Sequence, residues 1–239
     1  MDRETLVDHL RSDSALLLAA QRADPTAPVW PGLVGWDRTR LLAHVGNVHG
    51  WMRAQLAVGP DRPFDRGSVE RAPHDDTLPG WFEAGVADLT ERMATMDVEA
   101  TWPTWAGPLP GLFFPRRAAQ ETAVHRWDAT GGPIDPHLGV DGIDELLERF
   151  APLLPADRFA DVDGTLHLHA TDVEGEWLVR LGPDGVSFER GHAKGDVALR
   201  GPAGDLLLWA WNRVPADDDR FEVFGDPGLL ATWAATVTF

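Results

Sequence analysis

The spacing of apolar residues changes from helical to alternating about two thirds of the way along this 239-residue chain. Up to about residue 151, apolar side chains recur every three or four positions, as on one face of an α-helix. From Thr165 onwards they alternate in short runs that turns such as Gly182-Pro183-Asp184-Gly185 separate, as in β-strands. The change predicts two domains, a helical one over 1–132 and an α+β one over 141–239.

Four helices are predicted in the first domain, near 4–22, 37–58 and 80–96 and around 118–128. Two long connections, 59–79 and an aromatic loop over 101–111, separate the last three helices. Four helices in series with long connections suggest a four-helix bundle, a fold that builds metal sites from side chains on facing helices.

The fourth helix carries a pair of potential metal ligands. Glu121 and His125 are four residues apart, which places their Cβ atoms about 5–6 Å apart on one face. Asp128 lies one turn further and could orient the imidazole. A catalytic metal needs a third donor from another element, and His44, at the margin of the second helix, could supply it. His49 points about 140° away from His44, so these two cannot hold one ligand from that helix.

A competing apolar stripe on the same helix leaves the metal interpretation open. Ala119, Ala123 and Trp127 also recur at helical spacing. If that stripe faces the core, the carboxylate and the imidazole of the pair face water instead.

Two indoles lie in the loop that leads into the fourth helix. Trp102 and Trp105 could line a pocket, or they could pack over the end of the bundle. Together with His49 they are our candidates for cofactor contacts.

The second domain is predicted to be a meander of short, mainly antiparallel strands covered by helices. We place strands at 165–170, 176–181, 186–189, 197–200 and 221–224, helices at 141–151, 205–213 and 227–235, and a linker at 134–140. His167 and His169 alternate along one strand face, a spacing that suits a metal but is more common on a solvated face. Arg213 could cap the carbonyls of its helix or bind a substrate carboxylate.

Composition excludes several partners and chemistries. The formal charge of −17 disfavours nucleic acid and anionic membranes, and the absence of cysteine removes disulfides and thiolate sites. No apolar run approaches the roughly 20 residues of a membrane span, and Met1-Asp2-Arg3-Glu4 does not begin a signal peptide. We expect a cytoplasmic protein that is a monomer or a weak homodimer.

Three segments resemble the mycothiol-dependent maleylpyruvate isomerase family: 44–49 (HVGNVH), 121–128 (ETAVHRWD) and 166–172 (LHLHATD). The resemblance implies a DinB-like four-helix metal-binding domain followed by a small domain related to sterol carrier proteins. It also implies mycothiol as a thiol co-substrate and a small electrophilic substrate.

The resemblance assigns roles to five residues. His44, Glu121 and His125 take the positions of the zinc ligands. Arg213 takes that of the active-site arginine of the second domain, and Arg66, in the first long connection, is a candidate substrate-binding arginine.

Three functions compete at this point. The first is a zinc- and mycothiol-dependent enzyme, either a cis-trans isomerase or a thiol S-transferase. A second uses the same two histidines and one carboxylate to bind ferrous iron in an oxygenase. The third is a binding module without catalytic activity.

Overall fold

The computed structural model describes residues 1–63, 65, 67, 69–105 and 107–238. The chain divides into two compact units, Met1–Gly132 and Pro133–Phe239. The first unit is helical and the second contains a five-stranded sheet with helices, so the predicted two-domain α+β fold is confirmed. Within the described residues, none of the helices combines the length and the hydropathy needed to cross a lipid bilayer.

The first unit contains four long helices, whose bounds lie within a few residues of the predicted ones. They are α1 (Arg3–Ala23), α2 (Arg38–Val58), α3 (Leu78–Thr95) and α4 (Phe113–Thr130). Helix α1 packs against α3 and α4, and α2 packs against the same two helices. Aspartates fix the starts of α1 and α2, because the Asp2 and Asp37 carboxylates accept hydrogen bonds from backbone N–H groups of the first turn.

Close approach of α2 to α3 depends on Gly46. A Cβ atom at this position would lie 2.4 Å from the Trp81 ring, a distance that real side chains do not tolerate. Gly46 thus allows the Trp81 indole to cover the backbone of α2 next to Phe82 and Val45 in the core.

The aromatic loop before α4 is a short antiparallel hairpin, so its prediction as a loop was wrong. Strand β1 (Thr101–Thr104) pairs with β2 (Gly107–Pro110). Pro103 lies opposite Pro108, and neither residue can donate a ladder hydrogen bond. Prolines argue against a strand in the sequence, but an isolated two-stranded hairpin accommodates them.

The second unit begins with helix α5 (Pro136–Glu145), which continues as a π-helical turn to Phe150. The helix therefore occupies most of the predicted linker at 134–140. The Asp135 carboxylate caps the first turn by accepting from the N–H groups of His137 and Leu138, and Pro136 suits a first helical position.

Five strands and two helices follow, at positions close to the predicted ones. They are β3 (Gly164–Ala170), β4 (Glu176–Gly182), β5 (Gly185–Arg190), β6 (Val197–Gly201), α6 (Ala203–Ala210), β7 (Glu222–Gly225) and α7 (Gly228–Thr236). The order across the sheet is β5-β4-β3-β6-β7, and α6 and α7 both pack against β3. The sheet is mainly antiparallel as predicted, but β6 runs parallel to β3, so the simple meander ends after β5.

Candidate metal centre

Helices α2 and α4 bring together the three residues expected to bind a metal. His44 comes from α2, and Glu121 and His125 come from successive turns of α4. One potential ligand atom from each lies within 4.8 Å of the other two. The side chains of Glu121 and His125 are 16% and 10% exposed, whereas His44 is 38% exposed, so the cluster opens towards solvent on the His44 side.

The distances within this cluster suit ligands of one ion. Glu121 Oε1 lies 3.3 Å from His44 Nε2 and 3.2 Å from His125 Nε2. Two donors that are each about 2.0–2.1 Å from a tetrahedral ion are about 3.3 Å apart. The two imidazole rings meet edge to face with centroids 5.0 Å apart, and the Nε2 atom of each lies within 3.3 Å of the same carboxylate oxygen.

Two neighbours on α4 hold the side chains of His125 and Glu121 in place. His125 Nδ1 lies 2.8 Å from Asp128 Oδ2, as expected from the sequence. A proton on Nδ1 leaves the Nε2 lone pair directed at the cluster. Arg117, which the sequence analysis missed, donates to Glu121 Oε2 and leaves Oε1 facing the histidines. The spacing of four residues between Arg117 and Glu121 was a signal that could have revealed this pair.

The pKa values of Glu121 and His125 are shifted in opposite directions from their ordinary values. Burial raises the pKa of Glu121, but His125 and Arg117 outweigh burial and hold that pKa well below its ordinary value. Burial lowers the pKa of His125, but Glu121 and Asp128 outweigh it and raise that pKa to about 9. Without a metal, His125 is therefore protonated at neutral pH, and a divalent ion would take the place of that proton.

The competing apolar stripe does not turn the cluster towards water. Ala119 and Ala123 are fully buried, and His125 and Asp128 on the other face are also buried. Only Trp127 of the stripe is partly exposed. Helix α4 is therefore enclosed on both faces. A core-facing apolar stripe and a buried metal cluster can both lie on this helix.

His49 lies apart from His44, as the helix geometry predicted. Its Nε2 is 2.9 Å from Thr122 Oγ1, and its ring stacks on Phe82. Burial lowers the pKa of His49 to about 4, so the ring is neutral at pH 7. Thr122 Oγ1 donates to the Ala118 carbonyl oxygen, which leaves it to accept a hydrogen bond from His49 Nε2–H.

The two hairpin indoles differ in exposure. Trp102 is buried, and its Nε1 donates to the Asp97 carbonyl oxygen. Trp105 is 39% exposed and meets the Phe113 ring edge to face. Both pack at the start of α4, and the cofactor contacts proposed for them and for His49 stay predictions.

Of the two candidate catalytic arginines, Arg213 lies within the described residues. Arg213 follows α6, and its Nη1 donates to the Trp211 carbonyl oxygen at the end of that helix, which agrees with the capping interpretation. Arg66 lies outside the described residues. Their catalytic assignments therefore stay predictions.

Comparison with known proteins identifies the family. Residues 7–130 match the model of the mycothiol maleylpyruvate isomerase N-terminal domain, and residues 137–232 match that of the MDMPI C-terminal domain. A crystal structure of the mycothiol-dependent maleylpyruvate isomerase superposes with a TM-score of 0.64 at 14% sequence identity, covering 93% of each chain. A histidine-to-alanine mutant of that isomerase gives a TM-score of 0.63 with the same identity and coverage. No curated protein matches significantly. The resemblance found in the sequence is thus confirmed, and the chain belongs to the mycothiol maleylpyruvate isomerase family.

Proposed function

We propose that this protein is a zinc- and mycothiol-dependent enzyme that isomerises a small cis-unsaturated acid of the maleylpyruvate type. The observation that carries the proposal is the cluster of His44, Glu121 and His125 inside the N-terminal domain of this family. Three donors, two of them imidazoles, form the ligand set of a catalytic zinc site that keeps a position for water or substrate.

The chain must obtain its thiol from solution because it contains no cysteine. Zinc, when bound, would lower the pKa of an incoming thiol and so supply a thiolate near neutral pH. His44 is the most exposed of the three ligands, so the thiol would enter from its side. Asp128 and Arg117 would keep His125 and Glu121 in position.

The reaction balances without an oxidant or a reductant. The thiolate sulfur adds to one carbon of the conjugated cis double bond, and the π electrons move onto the carbonyl oxygen. Rotation then occurs about the resulting carbon–carbon single bond. When the electrons return, the carbon–sulfur bond breaks, the thiolate leaves and the trans double bond forms. If the adduct is protonated and released instead, the same site acts as a thiol S-transferase.

A substrate of this type carries carboxylates that need a cation. Arg213 and Arg66 are the proposed catalytic arginines, because a guanidinium group can pair with a carboxylate. The indoles of Trp102 and Trp105 and the ring of His49 are the proposed neighbours of the thiol cofactor.

A direct assay tests the proposal. Zinc-loaded protein is incubated with mycothiol and a panel of cis-unsaturated acids that includes maleylpyruvate, and products are followed by chromatography and mass spectrometry. We expect a thiol-dependent trans product that is lost in Glu121→Gln and kept in Glu91→Gln. Glu91 is a matched control because it is an exposed glutamate on α3.

Other outcomes separate the alternatives. A stable thiol adduct identifies an S-transferase. Oxygen consumption with ferrous iron would favour the oxygenase, which the family assignment does not support. Zinc content that is equal in Glu121→Gln and in the unmodified protein would refute the metal assignment. A cytoplasmic location and a monomeric or weakly dimeric state remain predictions that accompany this proposal.

A further inference from the structure

A second cluster of potential metal ligands lies on the sheet of the second unit. His167 and His169 are on β3, Glu176 begins β4, and His192 follows β5. One potential ligand atom from each of the four residues lies within 4.8 Å of the others. The alternation of His167 and His169 was visible in the sequence, but Glu176 and His192 were not recognised as their partners.

The sheet register explains how three of these side chains share one face. Glu176 is directly opposite His169 in the antiparallel pair of β3 and β4. Residues directly opposite in such a pair project to the same side, and His167, two residues from His169, projects there too. Because β3 lies in the sheet interior between β4 and β6, these positions are fixed by strands on both sides.

The fourth residue is delivered by the connection from β5 to β6. This connection, 191–196, runs from one edge strand past β4 to the far side of β3. Gly191 N donates to the Glu176 carbonyl oxygen, and Asp196 N donates to the Thr165 carbonyl oxygen. At Gly195 a Cβ atom would lie 2.8 Å from His167 N, so the connection lies directly against β3. The His192 ring lies on the face that carries the other three residues, because its Nδ1 is 2.7 Å from Glu176 Oε2.

All three imidazoles converge on one carboxylate oxygen. Glu176 Oε2 lies 2.8 Å from His167 Nε2, 2.7 Å from His192 Nδ1 and 3.5 Å from His169 Nδ1. A carboxylate oxygen has two lone pairs, so it cannot accept a full hydrogen bond from each of the three rings. A divalent cation among the four groups would let the three ring nitrogens and the carboxylate all act as metal ligands at once.

From this geometry we propose that His167, His169, Glu176 and His192 form a second zinc site. Imidazole and carboxylate are ligands that zinc accepts, and four protein ligands complete a tetrahedral shell. A closed shell is typical of a structural zinc, whereas the three-donor cluster of the first unit leaves a position open. The ion would join the connection 191–196 to β3 and β4. This proposal does not depend on the proposed function, because it rests on different residues in a different unit.

Metal stoichiometry of the full-length protein tests the site. Protein stripped with a chelator is reloaded with zinc, equilibrated against a competing chelator and analysed by mass spectrometry of the metal. We expect two zinc ions per chain in the unmodified protein and one in His192→Asn and in Glu176→Gln. His137→Asn should keep two, since His137 is an exposed histidine of the same unit outside the cluster. His192 has a side chain that is 80% exposed, so its replacement should not impair folding.

Cobalt provides a separate readout for the second cluster. In a Glu121→Gln background, which disables the first cluster, Co²⁺ titration should give the strong visible absorption of a four-coordinate ion with an end point of one equivalent. Adding His192→Asn should abolish that absorption. Equal zinc content in the unmodified protein, His192→Asn and Glu176→Gln would overturn the proposal, as would a Glu121→Gln protein that gives no such absorption. The zinc content of Glu121→Gln reports on the first cluster, whereas that of His192→Asn and Glu176→Gln reports on the second. The two proposals can therefore fail separately.

Discussion

Removal of the Asp128 carboxylate should weaken zinc binding at the first cluster without removing a ligand. Asp128 has a fully buried side chain, and its Oδ2 lies 2.8 Å from His125 Nδ1. Asp128→Ala deletes this acceptor, so the His125 ring loses both its fixed orientation and the negative charge that makes it a stronger donor to the metal.

Two independent arguments give similar values for the loss of zinc-binding free energy in Asp128→Ala. Hydrogen bonds to charged groups contribute about 1.5–3 kcal/mol, and a buried carboxylate is little screened by water. Loss of a residue that orients a metal-bound histidine costs about 10–100-fold in metal affinity, which corresponds to about 1.4–2.7 kcal/mol. We expect a weakening of about 100-fold for Asp128→Ala and about 10-fold for Asp128→Asn, because the amide oxygen can still accept from Nδ1.

Competition with a chromophoric chelator measures this affinity. The titration is done in a His192→Asn background, so that zinc at the second cluster does not contribute. Asp76→Asn controls for the change in overall charge, since Asp76 is exposed and precedes α3. If Asp128→Ala binds zinc within twofold of its parent while His125→Asn does not bind, the hydrogen bond has no role in holding the ligand and the reasoning is wrong.

Three further predictions concern stability, measured by urea unfolding of metal-free protein. Gly46→Ala should lose about 1–3 kcal/mol because the added methyl group overlaps the α3 indole, whereas Gly50→Ala, with its nearest contact at 3.5 Å, should gain up to about 1 kcal/mol. Equal effects of the two changes would contradict this. The pKa of His49 is depressed to about 4 from 6.5. The unfolded chain therefore takes up a proton first, and stability that is complete above pH 6.5 falls by about 3 kcal/mol as the pH drops to 4. His49→Gln should lack this part of the pH dependence. An unchanged dependence of the unfolding free energy on pH would refute the role given to His49. Asp13→Ala should cost about 3–5 kcal/mol because Arg126, whose Nε donates to Asp13 at 2.9 Å, is buried. Asp13→Leu combined with Arg126→Met should recover most of that loss, and a double variant as unstable as the single one would count against the argument.

The helices of the first unit could be predicted almost completely because local signals mark them. Apolar spacing gave their extent, and Asp37 marked the start of α2. The same kind of signal was present at Asp135 and Pro136, where glycines and prolines nearby suggested a linker instead. The hairpin was missed because Pro103 and Pro108 remove donors from its ladder.

Long-range pairing could not be predicted from periodicity. Alternation located β6 but did not show that it pairs with β3 in parallel, because a strand's pattern reports its faces and not its neighbours. For the same reason His167 and His169 could be recognised as a pair in the sequence, but the two residues that the fold brings to them could not. At the first cluster the pair on α4 was also local, and His44 was proposed because a four-helix bundle can place α2 opposite α4 and because the family resemblance gives it the same role.

The number of potential protein ligands at each cluster determines whether a thiol can also bind a metal ion there. Three donors leave room for a sulfur atom, whereas four donors do not. A small thiol should therefore change the visible spectrum of cobalt-loaded protein by adding a sulfur-to-cobalt charge-transfer band. In Glu121→Gln, where cobalt would occupy only the cluster of His167, His169, Glu176 and His192, the thiol should leave the spectrum unchanged. A charge-transfer band that persists in Glu121→Gln would show that the second cluster is open to ligands, and the assignment of the thiol to the first cluster would then lose its physical basis.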